Sequence, residues 1–367
     1  MNNAIIEILQ CPIEKSALRR CTDAELALCN HYIANGEAQH FDGSPVLKIM
    51  SAALTNTNKS VFYSIYEDEI IVLLPILAIK LDKIPINDWA LTTETSIIKS
   101  FYDQIGWKKN DINHFIDAIR FEDLRPVMRR YIHRCHLRLG RFINPSGRFL
   151  LDIASGPIQY DEYLSYSKGY EYRICADISL PALQQAQLRI GHKEGIFILC
   201  DITNLPFRTD SCDAFVSLHT VYHVAADQQL KALSELNRVL KPQKTGVVVY
   251  SWGVHSILMS FLQPRLLLKN WQYIFRPKKH PLPLPVITED STFYFHAHSP
   301  NWFDEQVSPK FNVELASWRS IATSVTRRFI QPWLLGRIIV DALFFLEDKF
   351  PKFFGRFGQY PIFIFRK

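Results

Sequence analysis

Hydrophobic positions change their rhythm twice along this chain. Over residues 1–82 they come in short runs broken by turn signals at Asn35-Gly36, Asp42-Gly43-Ser44-Pro45 and Asn56–Asn58. The stretch VFYSIYEDEIIVLLPILAI is rich in β-branched and aromatic residues and predicts strands. Ala24–Ala34 predicts a short helix stopped by Asn35-Gly36. A small α+β domain fits this segment. Over residues 83–146 the spacing turns helical. Ile112, Phe115, Ile116, Ile119, Val127, Tyr131, Leu137 and Leu139 recur at helical intervals, with a break expected at Pro126. From Arg148 a regular alternation begins. The strands RFLLDIA, YRICADI, GIFILCDI, CDAFVSLHTV and TGVVVYSW are interleaved with helices expected at Tyr160–Tyr166, Leu180–Ile190 and Asp227–Leu240. Such an order implies βαβ units and a parallel sheet covered on both faces. The alternation stops after Trp252. Two late strands, Phe311–Arg319 and QYPIFIF, flank an apolar helix at Trp333–Phe350.

Composition narrows the class without naming it. The chain has 367 residues, of which 48% are hydrophobic and 21% charged, enough for a large core and against global disorder. Its net charge of +6 is too mild to indicate nucleic acid, which is disfavoured as a partner at this point. The strongest apolar run, Ile70–Ile79, is far shorter than the ~20 residues of a membrane-spanning helix. No secretory signal is visible at the N-terminus. Seven scattered cysteines show no even framework, so reduced thiols in a cytoplasmic protein are expected. Arg125, Arg129, Arg130, Arg134, Arg138 and Arg141 crowd the middle helical segment. They are read as a solvated face in preference to an RNA-binding patch.

The candidate chemistry lies at strand ends. In LDIASGPIQY, Asp152 closes the first strand of the alternation, and Ala154, Ser155 and Gly156 follow it. Small residues there let a ligand approach the backbone, and the crevice at the carboxyl ends of an open α/β sheet is where ligands bind. Ala154 and Ile158 stand where glycine would be usual in a dinucleotide-binding loop. Asp177 closes the second strand, at the spacing suited to gripping ribose hydroxyls, and Asp201 closes the third. Each acid alone is an ordinary strand-end cap. Three on successive strands form a pattern.

The run LLDIASG, CADIS, LCDITNLPF, CDAFVSLHTVYHV and LSELNRVLKPQKTGVVVYSW resembles the class I S-adenosylmethionine-dependent methyltransferases over about residues 100–255. The resemblance implies an α/β fold with a Rossmann-like, seven-stranded, mostly parallel sheet and helices on both faces. The small N-terminal α+β domain would be added to it. It divides the chain into 1–82, a helical cap or linker at 83–146, and a cofactor-binding domain at 147–367 with a lid insertion at 253–311. It implies that Asp152, Ala154, Ser155 and Gly156 line the methionine end of S-adenosyl-L-methionine. Asp177 would then bind ribose, Ile178 pack on adenine, Asp201 and Ile202 hold adenine, and Leu218 and His219 lie beneath the sulfonium. FYDQIGW is similar to the opening segment of such enzymes, which implies that Tyr102 contacts the cofactor or closes over it.

ILQCPIEKSAL with YSIYEDEIIVLLP resembles the small zinc-ribbon-like domain that partners or precedes some methyltransferases. Zinc ligation needs paired thiolates, but Glu14 and Tyr32 stand where partners of Cys11 and Cys29 would be, so no metal is expected. An oxygen acceptor would want a base tuned near neutral pH. His298, His219 and His255 are the candidates, beside the alternative that alignment alone suffices. His133, His136 and His296 read as packing or hydrogen-bonding residues, and His223 as packing. The insertion is apolar, aromatic and basic. It suggests a lid over a small apolar or aromatic acceptor, with shallow membrane contact as an alternative. Two other readings stay open: an RNA base methyltransferase, and a non-catalytic partner-binding protein.

Overall fold

The computed structural model describes residues 3–66, 69–81, 91–110, 115–253, 287–288, 291–292 and 294–367. His255 and most of the expected lid insertion lie outside the described residues.

The strands are β1 Leu18–Arg20, β2 Gln39–His40, β3 Ala52–Asn56, β4 Phe62–Ile65, β5 Ile71–Val72, β6 Ile79–Lys80, β7 Gly147–Ile153, β8 Tyr170–Asp177, β9 Gly195–Leu199, β10 Cys212–Leu218, β11 Leu240–Val249, β12 Ile287–Thr288, β13 Ser291–Thr292, β14 Val313–Arg319 and β15 Tyr360–Arg366. The catalytic-type sheet runs β9-β8-β7-β10-β11-β15-β14. Strands β7 to β11 are parallel to their neighbours, and β15 runs antiparallel to both β11 and β14. This is the expected Rossmann-like α/β architecture. The chain order reverses around β7, which pairs with β8 on one side and β10 on the other. The crevice above such a switch point is the natural ligand site.

Alternation along the strands explains why both faces are dry. Phe149, Leu151 and Ile153 of β7 face a core shared with Phe215, Val248 and Phe363. Leu150 faces the opposite core with Val216, Val247, Tyr131 and Phe344. The second core is roofed by the helices Arg129–Arg138 and Gly336–Lys349, the latter where Trp333–Phe350 was expected. The helical pattern of 110–142 is split as Pro126 predicts: one helix ends at Phe121 and the next starts at Arg129. Tyr160–Tyr166 falls short of a full helix, with a single turn at Asp161–Leu164 followed by a 3-10 turn.

The N-terminal strands do not form a separate sheet. Ile71 and Val72 of β5 pair in parallel with Ile198 and Leu199 of β9, so β1, β3, β4 and β5 extend the main sheet. Ile5, Leu9, Leu54 and Tyr63 share the core of Phe149 and Leu151. A smaller apolar cluster of Cys29, Ile33, Val46, Met50 and Phe62 belongs to the N-terminal segment alone. The helix Asp23–Ala34 opens on a capping box between Thr22 and Glu25 and ends at Asn35, with Gly36 at φ +72 beyond it.

Candidate cofactor and acceptor site

The loop after β7 takes the conformation its sequence seemed to deny. Ala154, Gly156 and Ile158 all have φ of +54. The two positions without glycine therefore still adopt the left-handed backbone, at a cost of about 1–2 kcal/mol each. Hydrogen bonds hold the loop in place. Ala154 N–H donates to Ala176 O (2.6 Å), and Gly156 N–H donates to Asp177 Oδ2 (2.9 Å). Gly156 has a second reason to be glycine, because a Cβ there would sit 2.9 Å from the Trp107 ring.

Asp177 is buried at the end of β8. Its Oδ1 accepts the Ser179 N–H (2.9 Å), so both oxygens are held by backbone donors. Burial pushes its carboxyl up to about 6, against the pull of those donors. Asp152 is also buried, but Arg173 of the adjacent strand clamps it, with Nε donating to Oδ2 at 3.0 Å. Burial raises Asp152 and Arg173 opposes the rise. Asp201 caps the turn Ile202–Asn204 by accepting the Thr203 N–H (2.8 Å).

A cavity of about 460 Å³ opens over these strand ends. Tyr102, Asp152, Ala154, Ser155, Asp177, Ile178, Leu218 and His219 line it. A small lobe of about 60 Å³ continues from it, lined by Asp201 and Ile202 and sharing Ala154, Asp177 and Ile178 with the larger space. Every residue expected from the sequence to hold the cofactor therefore lines one or other of these two neighbouring spaces except Gly156. Sequence reasoning missed Trp107, Thr95, Ile98 and Thr220, which also line these walls. Trp107 stacks on Tyr102 at 4.8 Å and covers the Gly156 loop. It was the last residue of the quoted FYDQIGW, so its aromatic neighbour was the available signal.

The residues fit S-adenosylmethionine. Carboxylates stand at successive strand ends, an apolar lobe beside Ile178 and Ile202 suits an adenine ring, and the loop puts the small residues Ala154 and Ser155 on the cavity wall.

The far wall was not legible in the sequence. Glu122 and Arg319 form a buried ion pair there. Burial would raise the Glu122 carboxyl, yet Arg319 and His136 hold it down to about 2. The Arg319 guanidinium lies over Trp318 (4.6 Å) and Tyr360 (5.0 Å). His136 is buried between Glu122 (3.6 Å) and Glu162 (3.7 Å) and stacks on Trp318. Burial would lower it, but the two carboxylates raise it above its ordinary value. Tyr160, Tyr163 and Asp117 complete the wall. The Gln159 amide lies beside Asp117 and, turned to satisfy its neighbours, donates to Asp117 Oδ2 (3.3 Å); burial pushes the Asp117 carboxyl up to about 7.

The expected bases separate. His219 is at the cavity with φ +59, ringed by Trp318 at 4.5 Å and Tyr360 at 5.6 Å. Burial and then Arg319 lower it to about 3, so it is a neutral ring with little affinity for a proton. His298 stands outside the walls of both spaces, stacked on Trp302 at 4.3 Å with Nε2 3.5 Å from Ala226 O. Packing in the adjoining segment, not the cavity, holds it. His223, expected only to pack, lines both spaces; its Nδ1 is 2.9 Å from Tyr294 O.

In the N-terminal segment Cys11 Sγ lies 3.0 Å from Tyr63 Oη and accepts the Glu14 N–H. Among the described residues no group of three or more His, Cys, Asp or Glu could hold a metal, and no helix is long and apolar enough to cross a membrane.

Comparison with known proteins agrees on the donor. Residues 151–248 match the family model described as a methyltransferase domain. Over 113 residues the chain is 32% identical to tRNA (carboxymethyluridine(34)-5-O)-methyltransferase ALKBH8 of Mus musculus, covering 30% of this chain and 16% of that protein. The protein of the same name in Macaca fascicularis is 29% identical over 113 residues, covering 30% and 16%. The chain thus spans about a sixth of the curated relatives it matches. Among solved structures, an S-adenosylmethionine-dependent methyltransferase from Archaeoglobus fulgidus is 15% identical, with a TM-score of 0.39 over 69% of this chain and 98% of that one. The match to a methyltransferase domain spans β7 to β11, the strands whose ends bear the acids. The disfavouring of nucleic acid, which rested on a mild net charge, is overturned: the curated relatives are tRNA methyltransferases. Net charge over a whole chain says little about one local face.

Proposed function

We propose that this chain transfers the methyl group of S-adenosylmethionine to an oxygen or nitrogen of a planar aromatic or heteroaromatic acceptor. The carrying observation is one cavity with two unlike ends: strand-end carboxylates at one, aromatic rings around a neutralised Arg319–Glu122 pair at the other. The cofactor supplies an electrophilic methyl on sulfur, and the protein supplies alignment and proton removal. Asp177 accepts the ribose hydroxyls. Asp201 takes the adenine amino group while Ile178 and Ile202 pack on its ring. Asp152, Ala154 and Ser155 receive the methionine end, Leu218 and His219 lie beneath the sulfonium, and Tyr102 and Trp107 close over it.

Proton removal falls to Asp117. Its carboxyl, pushed up to about 7, matches the task, whereas His219 at about 3 orients rather than accepts. Residues 1–82 act as a built-in ribbon-like brace that works without metal, since β5 supports β9, next to Asp201.

The favoured acceptor is a nucleoside of RNA, on the strength of the tRNA methyltransferase relatives; an extruded base suits a ring-lined chamber. A free aromatic small molecule is the second reading. It is favoured by the arginine-rich helix, where Arg130, Arg134 and Arg138 are paired with Asp341, Glu347 and Asp348 rather than left for phosphates. Both readings meet in one assay. Radiolabelled S-adenosylmethionine is incubated with the chain and either bulk tRNA or a small-molecule extract. Label in tRNA supports the first reading, and label in the extract alone supports the second. Label in neither, with S-adenosylhomocysteine binding intact, rejects both acceptors. No binding rejects the enzyme reading itself.

A further inference from the structure

The helix Gly336–Lys349 is apolar on two opposite faces. Val340, Leu343, Phe344 and Glu347 point into the core beneath it. At 3.6 residues per turn, Ile338, Ala342 and Phe345 form a second stripe on the far side. Nothing among the described residues covers that stripe. Ile338 is 63% exposed, Phe345 64%, Trp333 76% and Leu335 66%. The next helix, Pro351–Phe357, continues the surface with Phe353 at 52%. Leu335 holds a left-handed backbone at φ +55 to start the helix, so the exposed tip at 333–335 is kept against local preference.

Charge is sorted across the same helix pair. All three acids, Asp341, Glu347 and Asp348, turn inward onto Arg130, Arg134, Arg138 and Arg141. The cations of the outer rim, Arg328, Arg337, Lys349 and Lys352, are exposed, and no acid pairs with them among the described residues. The outer surface is therefore apolar at its centre and predominantly cationic at its edge, where, among the described residues, Arg356 alone of the rim is paired with an acid, Asp304.

We propose that this face, built on residues 333–357, docks on the surface of an anionic lipid bilayer. Apolar rings would sink to the acyl boundary while lysines and arginines meet the headgroups. A second copy of the chain suits the face poorly, because a two-fold contact would bring its cationic rim against an identical rim. The chain leading to this surface leaves from the cavity wall at Ala322 and Ser324. Phe121 lines the cavity, and its carbonyl accepts from Thr323 Oγ1 (2.7 Å), at the start of the segment leading to Trp333. The inference is independent of which acceptor is methylated.

The test is flotation of the full chain with vesicles of phosphatidylcholine alone or with added phosphatidylserine. Binding to the anionic vesicles is expected, at least roughly fivefold weaker on neutral ones. Trp333→Asp with Phe345→Asp should abolish it, and Lys349→Glu with Lys352→Glu should remove the preference for anionic lipid. These positions are exposed, so S-adenosylhomocysteine binding and the thermal transition should stay as in wild type and guard against misfolding. No flotation with either vesicle overturns the proposal. So does flotation unchanged by the aspartates, or a dimer in sedimentation that the aspartates dissociate.

Discussion

Two carboxylates of the cavity wall, Asp177 and Glu122, are held in opposite ways. Asp177 has only backbone N–H donors, and burial keeps its carboxyl near 6. Glu122 is clamped by a buried guanidinium and held near 2. An acid bound by neutral donors can exchange them for ligand hydroxyls at modest cost. An acid locked to Arg319 cannot change partners without stranding a charge. Asp177 is thus free to exchange partners, and, under the proposed function, the Glu122–Arg319 wall is a rigid frame for the acceptor.

The largest expected effect breaks the frame. Glu122→Gln leaves Arg319 buried without its counter-charge and should cost about 3–5 kcal/mol. Thermal denaturation would read this as a drop of several degrees; a loss below about 1 kcal/mol would mean that Arg319 reaches water and the contrast is false. Next, Asp177→Ala should weaken S-adenosylhomocysteine binding by about 2–3 kcal/mol, roughly 30- to 150-fold, in calorimetric titration. Unchanged affinity would remove Asp177 from the site.

The pH response should separate the two carboxylates. Asp177 is raised in the folded state, so its ionised form costs stability above about pH 6, and that cost fades as pH falls towards the ordinary carboxylate range. Ribose hydroxyls need the ionised acceptor, so S-adenosylhomocysteine affinity should fall as pH drops through about 6, and Asp177→Asn should flatten that part of the profile. Glu122 has the opposite sign. Its contribution to stability is complete above the ordinary carboxylate range and is lost as pH falls towards about 2. The smallest effect sharpens the picture of the loop. Ala154→Gly relieves a left-handed alanine and should stabilise the fold by about 1 kcal/mol or less, with cofactor affinity retained.

The donor end was readable because its parts are local. An acid stands at or beside the end of each of three successive strands, at Asp152, Asp177 and Asp201, and small residues follow the first, all within one stretch of chain. The loop was read less well, since Ala154 and Ile158 disguise a glycine-like backbone that the hydrogen bonds to Ala176 O and Asp177 enforce. His298 was placed by its position in the chain, and packing on Trp302 kept it away.

By itself the sequence determined the order of strands and helices and showed the acids at the strand ends that are proposed to hold the donor, because periodicity and strand-end chemistry act over a few residues. Only the tertiary structure decided that the N-terminal strands join the main sheet, that Arg130, Arg134 and Arg138 pair with a helix some two hundred residues away, and that Glu122 meets Arg319 across a separation of 197 positions. Those pairings come from desolvation in a shared core, where each buried charge must find a partner, and no local pattern records which partner that is.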